Sequence, residues 1–149
     1  MTDVAKPAIP LRARARDVAR ILVLAFALHW VWETMHAVAF VESSGTFAFR
    51  LWHCLPMAVV DAGWTLGLWL AVGGLAASPR RSGVWRLTAL GVLGALTGVA
   101  LELFALAAGR WTYNSLMPIV PVIGVGLWPV LQMAMLPVVT VRLNDWWKG

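Results

Sequence analysis

The sequence predicts an all-α, polytopic membrane protein: an antiparallel bundle of four transmembrane helices. Three observations predict it. Of 149 residues, 60% are hydrophobic and only 13% are charged, against about 25% charged in an average soluble domain, which is more apolar surface than one soluble core of this length can hide. Four apolar stretches are each about 20 residues or longer, enough to cross a hydrocarbon core of roughly 30 Å. The basic residues cluster at the ends of these stretches, where they act as topology signals. The net charge of +5 therefore reads as membrane orientation and not as a nucleic-acid surface.

Residues 1–20 form a basic cytoplasmic arm carrying Lys6, Arg12, Arg14, Arg16 and Arg20, with Pro7 and Pro10 near its start. The first helix is expected over about 21–41 and the second over about 51–75. The third is expected over about 87–109 and the fourth over about 117–141, leaving 143–149 as a cytoplasmic tail. Short connections favour antiparallel neighbours. With the N-terminus inside, ten Lys and Arg lie on the inner side, including Arg80, Arg81, Arg86, Arg142 and Lys148, and only Arg50 and Arg110 lie outside. That asymmetry predicts both termini in the cytoplasm and a multi-pass inner-membrane location. Ala37-Val38-Ala39 has the form of a signal-peptide cleavage site, but Glu33 and two histidines interrupt the approach to it, and the first helix is read as retained.

Two stretches carry backbone signals. In the third, Gly94-x-x-x-Gly98 with Gly91 makes a small-residue face that predicts close packing against another helix of the same chain. In the fourth, Pro118, Pro121, Pro129 and Pro137, with Gly124 and Gly126, predict a kinked or partly unwound helix. The single cysteine, Cys54, excludes an internal disulfide and any CxxC motif.

Polar residues inside the apolar stretches mark the candidate site. His29, Glu33 and His36 form one stripe on the first helix. The second brings His53, Asp61, Trp64 and Thr65. The third brings Glu102, the following loop Arg110, Tyr113 and Asn114, and the fourth Gln132. At a rise of about 1.5 Å per residue, Glu33, Asp61 and Glu102 fall roughly 12, 15 and 10 Å from the outer ends of their helices. Three acids on three helices thus share one slab of the outer half. Isolated carboxylates there cost several kcal/mol each, so the acids are expected to face inward and find partners.

Several chemistries fit that set. The acids can be protonated by burial, pair with the histidines or Arg110, or ligate a cation. Glu33-x-x-His36 has the spacing of a di-iron bundle motif, though such bundles need two copies and two further glutamates. Glu33, His36 and His53 are the metal candidates, for zinc, and a bis-histidine haem across the first two helices uses the same residues. No cofactor is assigned. Small proton-coupled exporters also carry a single membrane glutamate, but the strong charge asymmetry argues against their dual-topology dimers. A catalytic reading takes Glu33, Asp61 or Glu102 as a general acid on an alkene or epoxide. Tryptophans such as Trp30, Trp32, Trp64 and Trp128 would stabilise a carbocation. The bland alternative is a hydrogen-bonded network that only holds the helices together.

The pattern Trp32-Glu33, Asp61, Gly109-Arg110-Trp111-Thr112-Tyr113, Met117-Pro118, Pro121 and Gly124-Val125-Gly126-Leu127-Trp128-Pro129-Val130-Leu131-Gln132 resembles a group of uncharacterised small four-helix bacterial inner-membrane proteins. The likeness spans most of 21–142 and implies a location without an activity. Trp32-Glu33 and Asp61 are also similar, more distantly, to the Trp-Glu pair and second acid of membrane-embedded terpene cyclases. That likeness implies protonation of an isoprenoid, although those enzymes have about seven helices. The expected partners are the lipid bilayer and a hydrophobic small molecule.

Overall fold

The computed structural model describes residues 11–43, 45–73 and 83–147. Lys6, Pro7, Pro10, Arg80, Arg81 and Lys148 lie outside them. The described residues are helical, in the order α1 (Leu11–His36), α2 (Phe47–His53), α3 (Leu55–Ala71), α4 (Gly83–Ala107) and α5 (Leu127–Trp146). A single 3-10 turn, Ala37–Ala39, follows α1. Two isolated β-bridges join loop residues, Phe40 to Tyr113 and Ile119 to Gly126.

Two segments, Arg14–Ala39 and Gly83–Ala107, are long and apolar enough to cross a membrane; α2 and α3, joined with a 45° bend, make a third if they count as one span. The protein is therefore an all-helical membrane protein with two or three candidate spans. The expected fourth crossing, α5, is not among them. It is 20 residues long, and its last turns carry Arg142, Asn144 and Asp145.

Each boundary has a local cause. No Gly or Pro interrupts residues 11–36, so α1 runs unbroken and takes in the second half of the expected basic arm. The expected second helix breaks at Cys54, because Pro56 sits in the first turn of α3, where its missing N–H costs nothing but its ring cannot continue α2. Thr46 caps α2, its Oγ1 accepting from Phe49 N at 3.2 Å. The third helix runs 83–107 in place of 87–109. The largest departure is in the fourth. Residues 117–126, expected as helix, form a hairpin-like loop, and α5 starts at Leu127. Pro118 and Pro121 lack the N–H groups a helix needs, and Gly124 (φ +70) together with Val122 (φ +74) turns the chain back. Pro129 falls in the first turn of α5 and is tolerated there.

The helices pack in a defined set. α4 lies along α5, α1 packs on α3 and α5, and α3 touches both α4 and α5. Ile21, Leu68, Trp69, Leu90, Met133 and Val141 fill the core of one half. The glycine face of α4 meets α5. A Cβ on Gly94 would collide with the Met133 carbonyl oxygen, and one on Gly98 would come to 3.2 Å of Val130 Cα. Met133 is four residues before Pro137, so its carbonyl has no helical donor. The absence of a side chain at Gly94 lets α4 cover that free carbonyl.

The two halves differ at their ends. Arg20 stacks on Trp147 and Arg86 on Trp69, each with the guanidinium carbon 5.9 Å from the ring centre. At the opposite end two loops are stitched together. Val41 N donates to Thr112 O at 2.9 Å, Asn114 N to Ala39 O at 3.0 Å, and Asn114 Nδ2 to Val38 O at 2.7 Å. The candidate site lies beneath this stitched end.

Candidate functional site

A cavity of about 340 Å³ opens between α1, α3, α4 and α5. Its wall includes all three intramembrane acids, Glu33, Asp61 and Glu102, together with His36, Gln132 and Trp111. Arg110, His53 and Glu42 stand around its polar side, and Phe40, Met57, Leu101 and Met133 supply apolar surface. The volume lies within the range of small-molecule sites, roughly 300–1,000 Å³.

One side chain organises the floor. Gln132 Nε2 lies 2.8 Å from Glu33 Oε1, 2.9 Å from Asp61 Oδ2 and 2.9 Å from His29 Nδ1. An amide nitrogen only donates, so His29 Nδ1 accepts, and the imidazole proton sits on Nε2. Nε2 donates to Thr65 Oγ1 at 2.9 Å. With Nδ1 unprotonated, the 3.6 Å approach of Asp61 to it is not an ion pair. His29, Thr65 and Gln132 are buried, and they tie α1, α3 and α5 into one polar layer. His36 Nδ1 donates to the Trp32 carbonyl at 2.9 Å within α1. This leaves its Nε2 as the acceptor, and the ring lies against Phe40.

Glu102 is held from the loop. Tyr113 Oη donates to Glu102 Oε2 and accepts from Gly126 N at 2.9 Å. Tyr113 thus joins α4 to the start of α5 through one oxygen. Burial, and then the Glu102 carboxyl beside it, push the Tyr113 phenol above its ordinary value, so it remains a donor. Glu42, on the exposed loop, accepts from Thr112 N at 3.0 Å, and this bond holds its carboxyl below the ordinary value.

The remaining sequence candidates divide. His53 borders the cavity but is exposed, and its ring stacks on Phe49 at 5.0 Å. Arg110, one of the alternative partners for the acids, is exposed at the cavity edge, and the acids have Gln132 and Tyr113 as hydrogen-bond partners. Trp64, expected from the sequence as a cavity aromatic, points outward and is 43% exposed. Trp32 is half-buried off the cavity wall, and its indole N–H has no partner among the described residues. Trp30 instead donates to the Leu51 carbonyl at 2.8 Å, clamping α1 to α2. Among the described residues, no group of three or more His, Cys, Asp and Glu is arranged to hold a metal ion.

Trp111 is not among the candidate site residues of the sequence, where it stands only in the Gly-Arg-Trp-x-Tyr run. The structure places it on the cavity wall, with its ring edge-on to Phe40 at 6.0 Å. The Gly-Arg-Trp-x-Tyr run was the available signal, since Tyr113 two residues on is fixed by Glu102.

Compared with family models, with curated proteins and with solved structures, the chain has no match in any of the three.

Proposed function

We propose that this is a bacterial inner-membrane protein that binds a lipid-soluble, alkene-bearing molecule of the isoprenoid type and donates a proton to it. One observation carries the reading. Two carboxyls, Glu33 and Asp61, converge on a single amide nitrogen at the floor of a largely apolar cavity. That nitrogen has two protons for three acceptors, the two carboxyls and His29. A proton shared between the acids satisfies the remainder, as in other close carboxyl pairs. Such a proton faces a cavity whose wall also carries Trp111, and an indole π-face suits a developing carbocation.

The chemistry balances without a further reagent. The carboxyl O–H bond breaks as a C–H bond forms at one alkene carbon, and the resulting cation loses a proton from a neighbouring carbon or is captured by water. The carboxylate left behind is stabilised by the Gln132 N–H groups. The likeness of Trp32-Glu33 and Asp61 to membrane terpene cyclases supports the same class, although Trp32 stands off the cavity. Four crossings with both termini cytoplasmic complete the reading. They are supported by the ten-to-two Lys and Arg asymmetry and by the packing of α5 among α1, α3 and α4. The site then lies in the outer half of the bilayer.

The test uses the full chain in proteoliposomes prepared in D2O, given a panel of linear isoprenoid alcohols and hydrocarbons. Deuterium on carbon, lost in Asp61→Asn and Glu33→Gln and kept in the outward-facing Trp64→Phe, is the expected result. If the wild type incorporates no deuterium from any member, and Asp61→Asn changes only the unfolding temperature, the acids serve a structural network.

A further inference from the structure

The segment that departs most from the helix expected of it, residues 117–126, presents a surface the proton-donating reading does not use. No charged residue occurs between Arg110 and Arg142. Within this stretch the chain doubles back on itself. Val120 N donates to Val125 O at 2.8 Å, Gly124 N to Val120 O at 3.0 Å and Leu127 N to Pro118 O at 2.7 Å. Gly126 N is taken by Tyr113 Oη, while Pro118 and Pro121 have no N–H to satisfy. Much of the backbone is thus paired within the hairpin or to its base, as non-helical chain needs where water is scarce.

The tip is unusual for a turn in water. Ile123 N donates to Pro121 O at 2.9 Å across Val122, whose φ is +74. This is the rare positive-φ γ-turn. Glycine or asparagine suits such a position, and a β-branched residue is disfavoured there. Val122 is nonetheless fully exposed, with Leu116, Ile119 and Ile123 exposed around it. Leu103 and Phe104, near the end of the candidate span α4, are exposed as well.

We infer that the 117–126 hairpin is inserted into the bilayer, with Val122 and Leu116 among the acyl chains of the leaflet at the cavity end. Lipid acyl chains are the occupant that fits, because the patch has no charge, pairs much of its own backbone and exposes large apolar side chains, Leu116, Ile119, Val122 and Ile123. The inference needs the membrane spans but not the proton chemistry. It has a consequence for the cavity, since the hairpin base is bonded to Tyr113, and Tyr113 holds Glu102 on the cavity wall. Lipid contact and the site are therefore mechanically joined.

The experiment uses the full chain with Cys54→Ala, reconstituted in phosphatidylcholine vesicles, with an environment-sensitive fluorophore on Val122→Cys or, separately, on Leu116→Cys. Both labels are expected to show blue-shifted emission, quenching by lipids carrying a nitroxide on the acyl chain, and protection from aqueous iodide. Arg110→Cys, beside the polar side of the cavity, is expected to be quenched by iodide. Iodide quenching of both hairpin labels without nitroxide quenching would overturn the inference. So would protection that disappears on diluting the protein in lipid, which would assign the patch to a second copy of the chain. Either result leaves the deuterium test of the carboxyl pair unaffected.

Discussion

Gln132 Nε2 donates to Glu33 Oε1 at 2.8 Å, joining α5 to α1 across most of the chain. The same nitrogen serves Asp61 and His29, so one amide holds a carboxyl from each of two helices and fixes an imidazole tautomer. Gln132→Leu removes the donor and leaves three buried or half-buried acceptors without it. An unsatisfied buried polar group costs about 1–3 kcal/mol, so the variant is expected to lose at least about 2 kcal/mol of stability. Thermal unfolding in detergent measures this, and an unchanged midpoint would mean that the acids and His29 have other donors. Gln132→Glu adds a third carboxyl to the same point and is expected to destabilise further, since a buried charge without a partner costs more than a lost hydrogen bond.

The glycine face of α4 makes a graded prediction. At Gly94 a Cβ would strike the Met133 carbonyl oxygen, which is backbone and cannot swing aside, whereas at Gly91 it would meet the Ala134 carbonyl at an ordinary 3.5 Å. Gly94→Ala is therefore expected to cost about 1–3 kcal/mol, the usual range for overpacking. Gly91→Ala is expected to be near neutral or slightly stabilising, because alanine is the better helix former by about 1 kcal/mol. A series of unfolding midpoints decides it, and equal effects at the two positions would contradict the close approach at Gly94.

How much of this was legible in the sequence depends on the kind of signal. Glu33, Asp61 and Glu102 were placed on a common level by counting residues from the helix ends, and they do line one cavity. That inference rests on the strong cost of burying acids against lipid, which leaves few alternatives. The α4 glycine face was legible for a similar reason, since small residues four apart on an apolar helix have few uses besides close packing. The partner of the acids was not legible. Arg110 and the histidines were the electrostatic candidates, but an amide can serve two acids at once, and nothing in composition favours Gln132 for that role. Partial unwinding of the last stretch is legible in its prolines and glycines, but not that the unwound part takes up all of 117–126 and leaves α5 to start at Leu127. Residues 117–126 are apolar throughout, yet Pro118, Pro121 and Gly124 decide their backbone. The place of Trp111 on the cavity wall is not legible, because sequence spacing fixes a side chain's angle on a helix but not the direction of a residue in a loop.

Tyr113 bridges Glu102 and Gly126 N through one hydroxyl. Tyr113→Phe leaves the buried carboxyl and the loop amide each short of a partner, and a loss of about 1–3 kcal/mol is expected. The pH dependence has a definite sign. Burial raises the folded-state value of the phenol above the ordinary 10.0, so in the unfolded chain Tyr113 loses its proton first. Its contribution is fully present below about pH 10 and falls as pH rises beyond it. Unfolding midpoints of the wild type are expected to decline on the alkaline side, and Tyr113→Phe to lose that part of the slope. Parallel alkaline slopes in the two proteins would count against the bond.

Glu42 acts in the opposite pH direction at the stitched end. Its carboxylate accepts from Thr112 N, which lowers its folded-state value below the ordinary 4.5. The contribution is therefore present above the ordinary value and lost as pH falls through the lowered one. Because the group is exposed, the global effect is small. The local effect is more direct, since the same loop pairing includes the Phe40 to Tyr113 bridge over the cavity. Hydrogen exchange at Thr112 N is expected to accelerate below about pH 4.5 relative to Val41 N, which donates to the Thr112 carbonyl and has no carboxylate partner. Glu42→Gln retains an acceptor that does not titrate, so it is expected to abolish the acid-dependent difference while leaving partial protection at neutral pH. If the difference persists in Glu42→Gln, the acid sensitivity of this end arises from another group.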